Sequence, residues 1–201
     1  MNYATDFVAG VIPTPLELRA GDLPAWATSQ PLAAGAINDW FDETVATTPQ
    51  KLPSCVGRAT AQLLMMVIRR QYGRDAIPSG YLIDGDAIWA SRRKRKYGGD
   101  MTGGLQVHEG LQEAVELGLF DGVRYGIARF NPTPDTLDKM LRHMPVLVGV
   151  GTHDGWGLDW GMNGAWCMTD GQFAQALISD GVTLYLPDGI GDAWRKFLKR
   201  V

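Results

Sequence analysis

The chain has 201 residues, of which 45% are hydrophobic and 20% charged, and its formal net charge is −3; that length and balance suffice for one domain with a full core, make disorder a poor default, and exert no overall pull toward nucleic acid or anionic membrane. The first twenty residues lack a basic start followed by an apolar run, and no stretch approaches the roughly 18 apolar residues of a membrane span, so neither export nor membrane insertion is expected. Two cysteines, Cys55 and Cys167, are too few for a disulfide framework and fit a reducing, cytoplasmic compartment.

Residues 1–40 form the first unit. Pro13, Pro15, Pro24 and Pro31 interrupt short apolar pieces that hold neither a helical nor a strand period, which predicts an extended, irregular arm. Such an arm either wraps its own domain or reaches a neighbouring subunit. From Ser54 the pattern changes. Cys55 to Tyr72 is apolar almost all round, which predicts a buried central helix with Ser54 as its N-cap, Arg69 and Arg70 at the negative end of its dipole and Gly73 as its stop. Cys55 then falls on the first turn, where backbone N–H groups and the positive end of the dipole favour thiolate over thiol.

A second helix is predicted over about Ile83 to Lys96, ending in Arg92-Arg93-Lys94-Arg95-Lys96 before Gly98-Gly99. A basic run invites a nucleic-acid reading, but the chain is acidic overall and carries no groove-reading motif, so a solvated helix end is expected instead. Val107 to Leu117 predicts a third, amphipathic helix, and Thr136 to Met144 a short fourth. Beyond Pro145 the composition favours strands, at Val146 to Val150, Phe173 to Ile178 and Val182 to Leu186. With helices first and strands after, the reading is α+β with segregated halves: a helical half over about 41–144 and a β half over about 145–201, forming one domain behind the arm.

Several pieces stand in a telling order: Asn38-Asp39-Trp40; Ser54-Cys55-Val56-Gly57-Arg58-Ala59 opening the buried helix; Thr102-Gly103-Gly104-Leu105; Gly110 to Gly118; Pro145 to Val150; and Pro187-Asp188-Gly189-Ile190-Gly191-Asp192-Ala193-Trp194. Together they resemble the motifs of the papain-like cysteine peptidases, over roughly residues 38 to 194. The resemblance implies a helical half whose central helix starts at a nucleophile, Cys55, a β-rich, barrel-like half, and a cleft between them. It also implies a histidine that takes the thiol proton, an asparagine that orients it, and a glutamine that stabilises the oxyanion.

At those positions the chain departs from the pattern. Asp188 stands where the asparagine is expected, and counting back about sixteen residues, the spacing that the resemblance carries, reaches Gln172 in place of the histidine. A glutamine amide has no useful pKa and cannot shuttle a proton at neutral pH. Gln50 precedes Cys55 by five residues where the family has about six, which displaces the oxyanion position. Of the three histidines, His108 and His143 fall in predicted helices, where a core-satisfied or partly exposed imidazole is the ordinary outcome. His153, beside Asp154 and just after the Pro145 to Val150 strand, is the candidate substitute base. The Gly- and Trp-rich segment 154–166 completes a β core in the ordinary case and offers partner contacts if its rings are exposed.

The expectation is therefore a papain-like fold without peptidase chemistry, serving as a structural or binding component of a larger, oligomeric protein assembly through its arm and the 154–166 segment. By analogy its setting is a bacteriophage virion, in the tail tip, baseplate or head, assembled from the host cytoplasm. No cofactor or metal is expected. The alternatives are an active cysteine peptidase or thiol hydrolase using Cys55 with His153 or a partner's histidine, and a pseudoenzyme that binds a peptide or small molecule in the old cleft.

Overall fold

The computed structural model describes residues 12–14, 21, 40, 50–150 and 170–200. Its central element is α1, Cys55–Tyr72, which buries Val56, Thr60, Ala61, Leu63, Leu64, Met65, Val67 and Ile68 and so is covered on most of its circumference, as its near-continuous apolar sequence requires. Arg69 and Arg70 close its last turn, and Gly73 ends it at φ 93°, a left-handed value that glycine adopts without a Cβ penalty, with its N–H donating to Arg69 O at 2.9 Å.

Against α1 lie α2, Gly85–Lys96, and α3, Val107–Glu116. The approach of α2 is set by glycine: a Cβ on Gly57 would fall 2.2 Å from Gly85 O, and one on Gly85 would fall 2.5 Å from Arg58 Cα. Backbone therefore meets backbone where the first turns of α1 and α2 cross. Gly110 does the same for α3, since a Cβ there would stand 2.0 Å from Thr60 Oγ1. Asp84 caps α2 by accepting from Ala87 N at 3.1 Å, and Glu109 caps α3 by accepting from Gln106 N at 2.8 Å.

α4 spans Pro134–Leu141, two residues ahead of its predicted start, because Thr133 as N-cap and Pro134 in the first turn are the true opening signals. α5, Asp170–Ala176, is a correction: a strand over Phe173 to Ile178 was expected, but Leu177 N–H donates to Phe173 O at 3.0 Å and closes a helical turn. A short string of mixed small and apolar residues does not by itself decide between strand and helix.

Strands β1 (Tyr81–Ile83), β2 (Gly126–Phe130), β3 (Gly181–Tyr185) and β4 (Leu198–Arg200) make two antiparallel pairs, β1 with β4 and β2 with β3. In the second, Gly126 faces Tyr185 and Phe130 faces Gly181, whose missing side chain admits the Phe130 ring. The expected strand over Val146 to Val150 is reduced to two single-residue bridges, Leu147 with Val182 and Val150 with Leu177. The molecule is thus a mixed α+β fold, but its halves are not segregated: each pair joins a strand from the expected helical half, 41–144, to one from 145–201. Among the described residues the sheets do not close into the expected barrel.

One main core gathers α1, α3 and β3 with Ile190 and Trp194, both 1% exposed or less. The arm touches this body at each of its described points: Ile12 and Thr14 through main-chain hydrogen bonds, Gly21 O as acceptor from Asn131 N at 3.3 Å, and Trp40, whose Nε1 donates to Leu141 O at 3.0 Å beneath the Arg70 guanidinium. No helix among the described residues is long and apolar enough to cross a membrane.

Candidate functional site

Cys55 opens α1 and is half-buried, packed against a cluster of Val56, Trp89 and Leu105 that are themselves 3% exposed or less. Trp89 is fixed by its Nε1–H, which donates to Gly103 O at 3.0 Å. The glycine-bearing segment 103–105 therefore lies beside the cysteine.

The polar groups at this end of α1 form a closed set. Ser54 occupies the N-cap position but makes no side-chain cap bond; instead its Oγ donates to Asp86 Oδ1 at 2.5 Å, and the residue is fully buried. Arg58, one turn along, grips the same carboxylate through Nε to Oδ1 and Nη2 to Oδ2, both at 2.7 Å. The planar fork matches the carboxylate. Arg58 holds the Asp86 carboxyl below its ordinary range against an opposing effect of burial, with Ser54 adding to the lowering; Asp86 in turn raises the Arg58 guanidinium. The Arg58 cation near the start of α1 is thus paired with a carboxylate from α2. Sequence reading did not find Asp86, although a signal existed in the two glycines, Gly57 and Gly85, that let the helix starts touch.

Among the described residues, the remaining expected site residues do not assemble into a triad around this point. Asp188 is exposed and makes a bidentate pair with Arg124, Nε to Oδ2 at 2.7 Å and Nη2 to Oδ1 at 2.8 Å; Arg124 holds the carboxyl below its ordinary range. Its segment is anchored at the opposite end of α1. Gln71 donates through Nε2 to Ile190 O at 2.9 Å and accepts from Ile190 N at 2.7 Å, while Tyr72 OH donates to the same carbonyl at 2.6 Å. At about 1.5 Å per residue, roughly 24 Å of helix separates Gln71 from Cys55. Asp188 is therefore not placed to orient a base beside Cys55.

Gln172 lies on α5 with its side chain exposed, not on a strand. Gln50 is exposed as well, and its Nε2 donates to Leu52 O at 2.6 Å, so one amide hydrogen serves its own turn. His153, Cys167 and the 154–166 segment lie outside the described residues. His108, at the second position of α3, is half-buried, and burial, then Arg129, push its imidazole below the ordinary value. Among the described residues no group of three His, Cys, Asp or Glu side chains is arranged to hold a metal ion.

The basic run on α2 is another correction. Its cations are not simply solvated, because they face two fully buried carboxylates of α3. Glu109 takes Lys96 Nζ at 2.6 Å and Tyr97 OH at 2.9 Å; Glu113 takes Ser91 Oγ at 2.6 Å and Arg95 Nη2 at 3.2 Å; Arg92 stands 3.5 Å from Glu109 and 3.7 Å from Glu113. Arg93, 3% exposed, binds Gly104 O at 3.1 Å and Asp100 Oδ2 at 2.7 Å and stacks on Tyr97. Burial by itself raises Glu109; Lys96, the Gln106 N–H and the Tyr97 hydroxyl outweigh it and hold the carboxyl below its ordinary range. The run is a helix-to-helix clamp. No family model, curated protein or solved structure matches the chain.

Proposed function

We propose that this chain is a non-catalytic protein that serves as a structural or binding component of a larger protein assembly, with a papain-like ancestry and, by analogy, a bacteriophage virion as its setting. The observation that carries the non-catalytic part is the position of Asp188, paired with Arg124 and tied through Ile190 to the end of α1 remote from Cys55. An amide at Gln172 supplies no proton acceptor either. What supports the ancestry is narrower: a cysteine on the first turn of a buried helix, flanked by the Gly103-Gly104-Leu105 segment. Cys55 then acts as a small side chain that fills space beside Trp89.

The reading is tested by comparing wild type with Cys55→Ala and Cys55→Ser by light scattering and denaturant unfolding. It expects a stable oligomer of unchanged mass and a stability within about 1 kcal/mol. A monomer in all three proteins contradicts the assembly part. Alkylation of Cys55 far faster than Cys167 at neutral pH, with loss of a peptidase activity on Cys55→Ala, would favour the thiol hydrolase instead.

A further inference from the structure

The sequence carries six Asp-Gly pairs, and at four of them the structure describes the aspartate side chain: Asp84-Gly85, Asp121-Gly122, Asp180-Gly181 and Asp188-Gly189. In such a pair the glycine nitrogen can reach the preceding carboxyl carbon, because no Cβ of its own stands in the way. In a folded chain the outcome depends on what holds the carboxyl and the glycine N–H. Three of the four pairs are held. Asp84 accepts from Ala87 N at 3.1 Å and from Lys199 Nζ at 2.9 Å, and Gly85 is wedged against Arg58 Cα. Asp180 is 1% exposed and accepts from Arg129 Nε at 2.6 Å, while Gly181 is paired in β3 opposite Phe130. Asp188 is exposed, but Arg124 grips both its oxygens, and the Gly189 N–H donates to Leu186 O at 3.1 Å.

Asp121-Gly122 differs on each count. It is the exposed tip of the turn between α3 and β2, in which Val123 N–H donates to Phe120 O at 3.2 Å and Gly122 takes the left-handed φ of 80° that the third turn position asks of glycine. The Asp121 carboxylate lies over Gly118, and among the described residues no donor or cation binds it. Nor does any described group accept from the Gly122 N–H. Nothing lies within 4 Å of the position a Cβ on Gly122 would take, so its amide has room to turn. The carboxyl and the amide that would join are thus both exposed and both free to move, while buried Phe120 holds the chain just before them.

We propose that Asp121-Gly122 is a self-modification site, at which the folded chain converts its aspartate to isoaspartate. Gly122 N attacks Cγ of the protonated Asp121 carboxyl; the C–N bond forms, the Cγ–OH bond breaks, and the hydroxyl leaves with the amide proton as water. Water then adds to the Asp121 main-chain carbonyl carbon of the resulting imide ring and breaks its bond to Gly122 N, so that the chain runs on through Cγ. The atoms balance, with water as the only co-reactant and no change of oxidation state. The product inserts one more main-chain carbon between Phe120 and Val123 and moves the carboxylate to a short branch at the tip, which opens the turn that the Phe120 to Val123 hydrogen bond closes.

The test ages the full-length wild-type chain for weeks at neutral pH and physiological temperature, folded and in urea. Isoaspartate is then mapped peptide by peptide, by electron-transfer fragmentation and by methyl transfer from a labelled donor with a protein isoaspartate methyltransferase. In the folded protein, isoaspartate at 121 is expected to exceed that at Asp84, Asp180 and Asp188 by at least about tenfold, because local structure holds those three. In urea, where that structure is gone, the four are expected to fall within about threefold of one another. Asp121→Glu is expected to abolish methyl acceptance by its peptide. Folded-state isoaspartate at 121 no greater than at the three held sites overturns the proposal, and so does the same tenfold preference in urea, which would assign the choice to neighbouring sequence rather than to the fold.

Discussion

Asp86 is the residue on which the start of the central helix turns. It accepts from a buried serine hydroxyl and from Nε and Nη2 along one edge of the Arg58 guanidinium. Its loss leaves Ser54 buried with its strongest acceptor gone, while Arg58, part exposed, recovers some hydration. Asp86→Ala is therefore expected to lower unfolding free energy by about 2 kcal/mol with an unchanged denaturant slope, measured by urea titration. Asp86→Asn keeps an oxygen for Ser54 and is expected to cost less. Equal losses in the two variants would mean that charge pairing with Arg58, not acceptance from Ser54, dominates. Cys55 was legible from the sequence because a cysteine before an apolar run stands out; its neighbour Asp86 was not, because thirty-two residues separate Ser54 from it and only the helix crossing brings them together.

Between elements, two devices fix the helices. The first is the glycine crossing of α1 and α2. Gly57→Ala forces a Cβ to within 2.2 Å of a backbone carbonyl that cannot rotate away, so it is expected to destabilise by about 3 kcal/mol as the helices separate. Gly80→Ala is the control: nothing lies near its Cβ, and only the left-handed φ of 79° is strained, for an expected loss of about 1 kcal/mol. Similar melting points for the two variants would contradict this account of the crossing. The second device is the charged clamp between α2 and α3. Glu109 has a folded-state pKa below its ordinary value, so its contribution is present above that ordinary value, about 4.3, and is lost as pH falls through the depressed folded one. Glu109→Gln is expected to cost about 2 kcal/mol at pH 7, with the gap to wild type closing below about pH 4. A constant gap from pH 7 to pH 3, measured by denaturant unfolding, would show that the loss is one of shape rather than of charge.

The same elements show what the sequence could and could not yield. α1 was readable over its whole length because its apolar run, basic last turn and terminal glycine agree. α5 was misread because its residues fit either period over so short a span. β1, β2 and β4 were missed because each is short and owes its existence to a partner at least about fifty residues away, as Phe130 does to Gly181. The basic run was misjudged because the two carboxylates that it meets are visible as buried only once α3 is laid against α2.

At the scale of the whole molecule, strands from 81–130 pair with strands from 181–200, the described residues of the arm meet the body at Ile12, Thr14, Gly21 and Trp40, and Ile190 ties the region after β3 to the far end of α1. That tie separates the two ends of the helix by function as well as by distance: Cys55 packs at one, and Asp188 is occupied with Arg124 at the other. A peptidase needs nucleophile, base and orienting group within hydrogen-bond reach of one another. The most direct test is thiol-dependent hydrolysis of a fluorogenic peptide library at pH 5 to 8 by wild type and Cys55→Ser. The account predicts the same background rate for both proteins, with and without reductant; a wild-type rate a thousandfold above that of Cys55→Ser would contradict it.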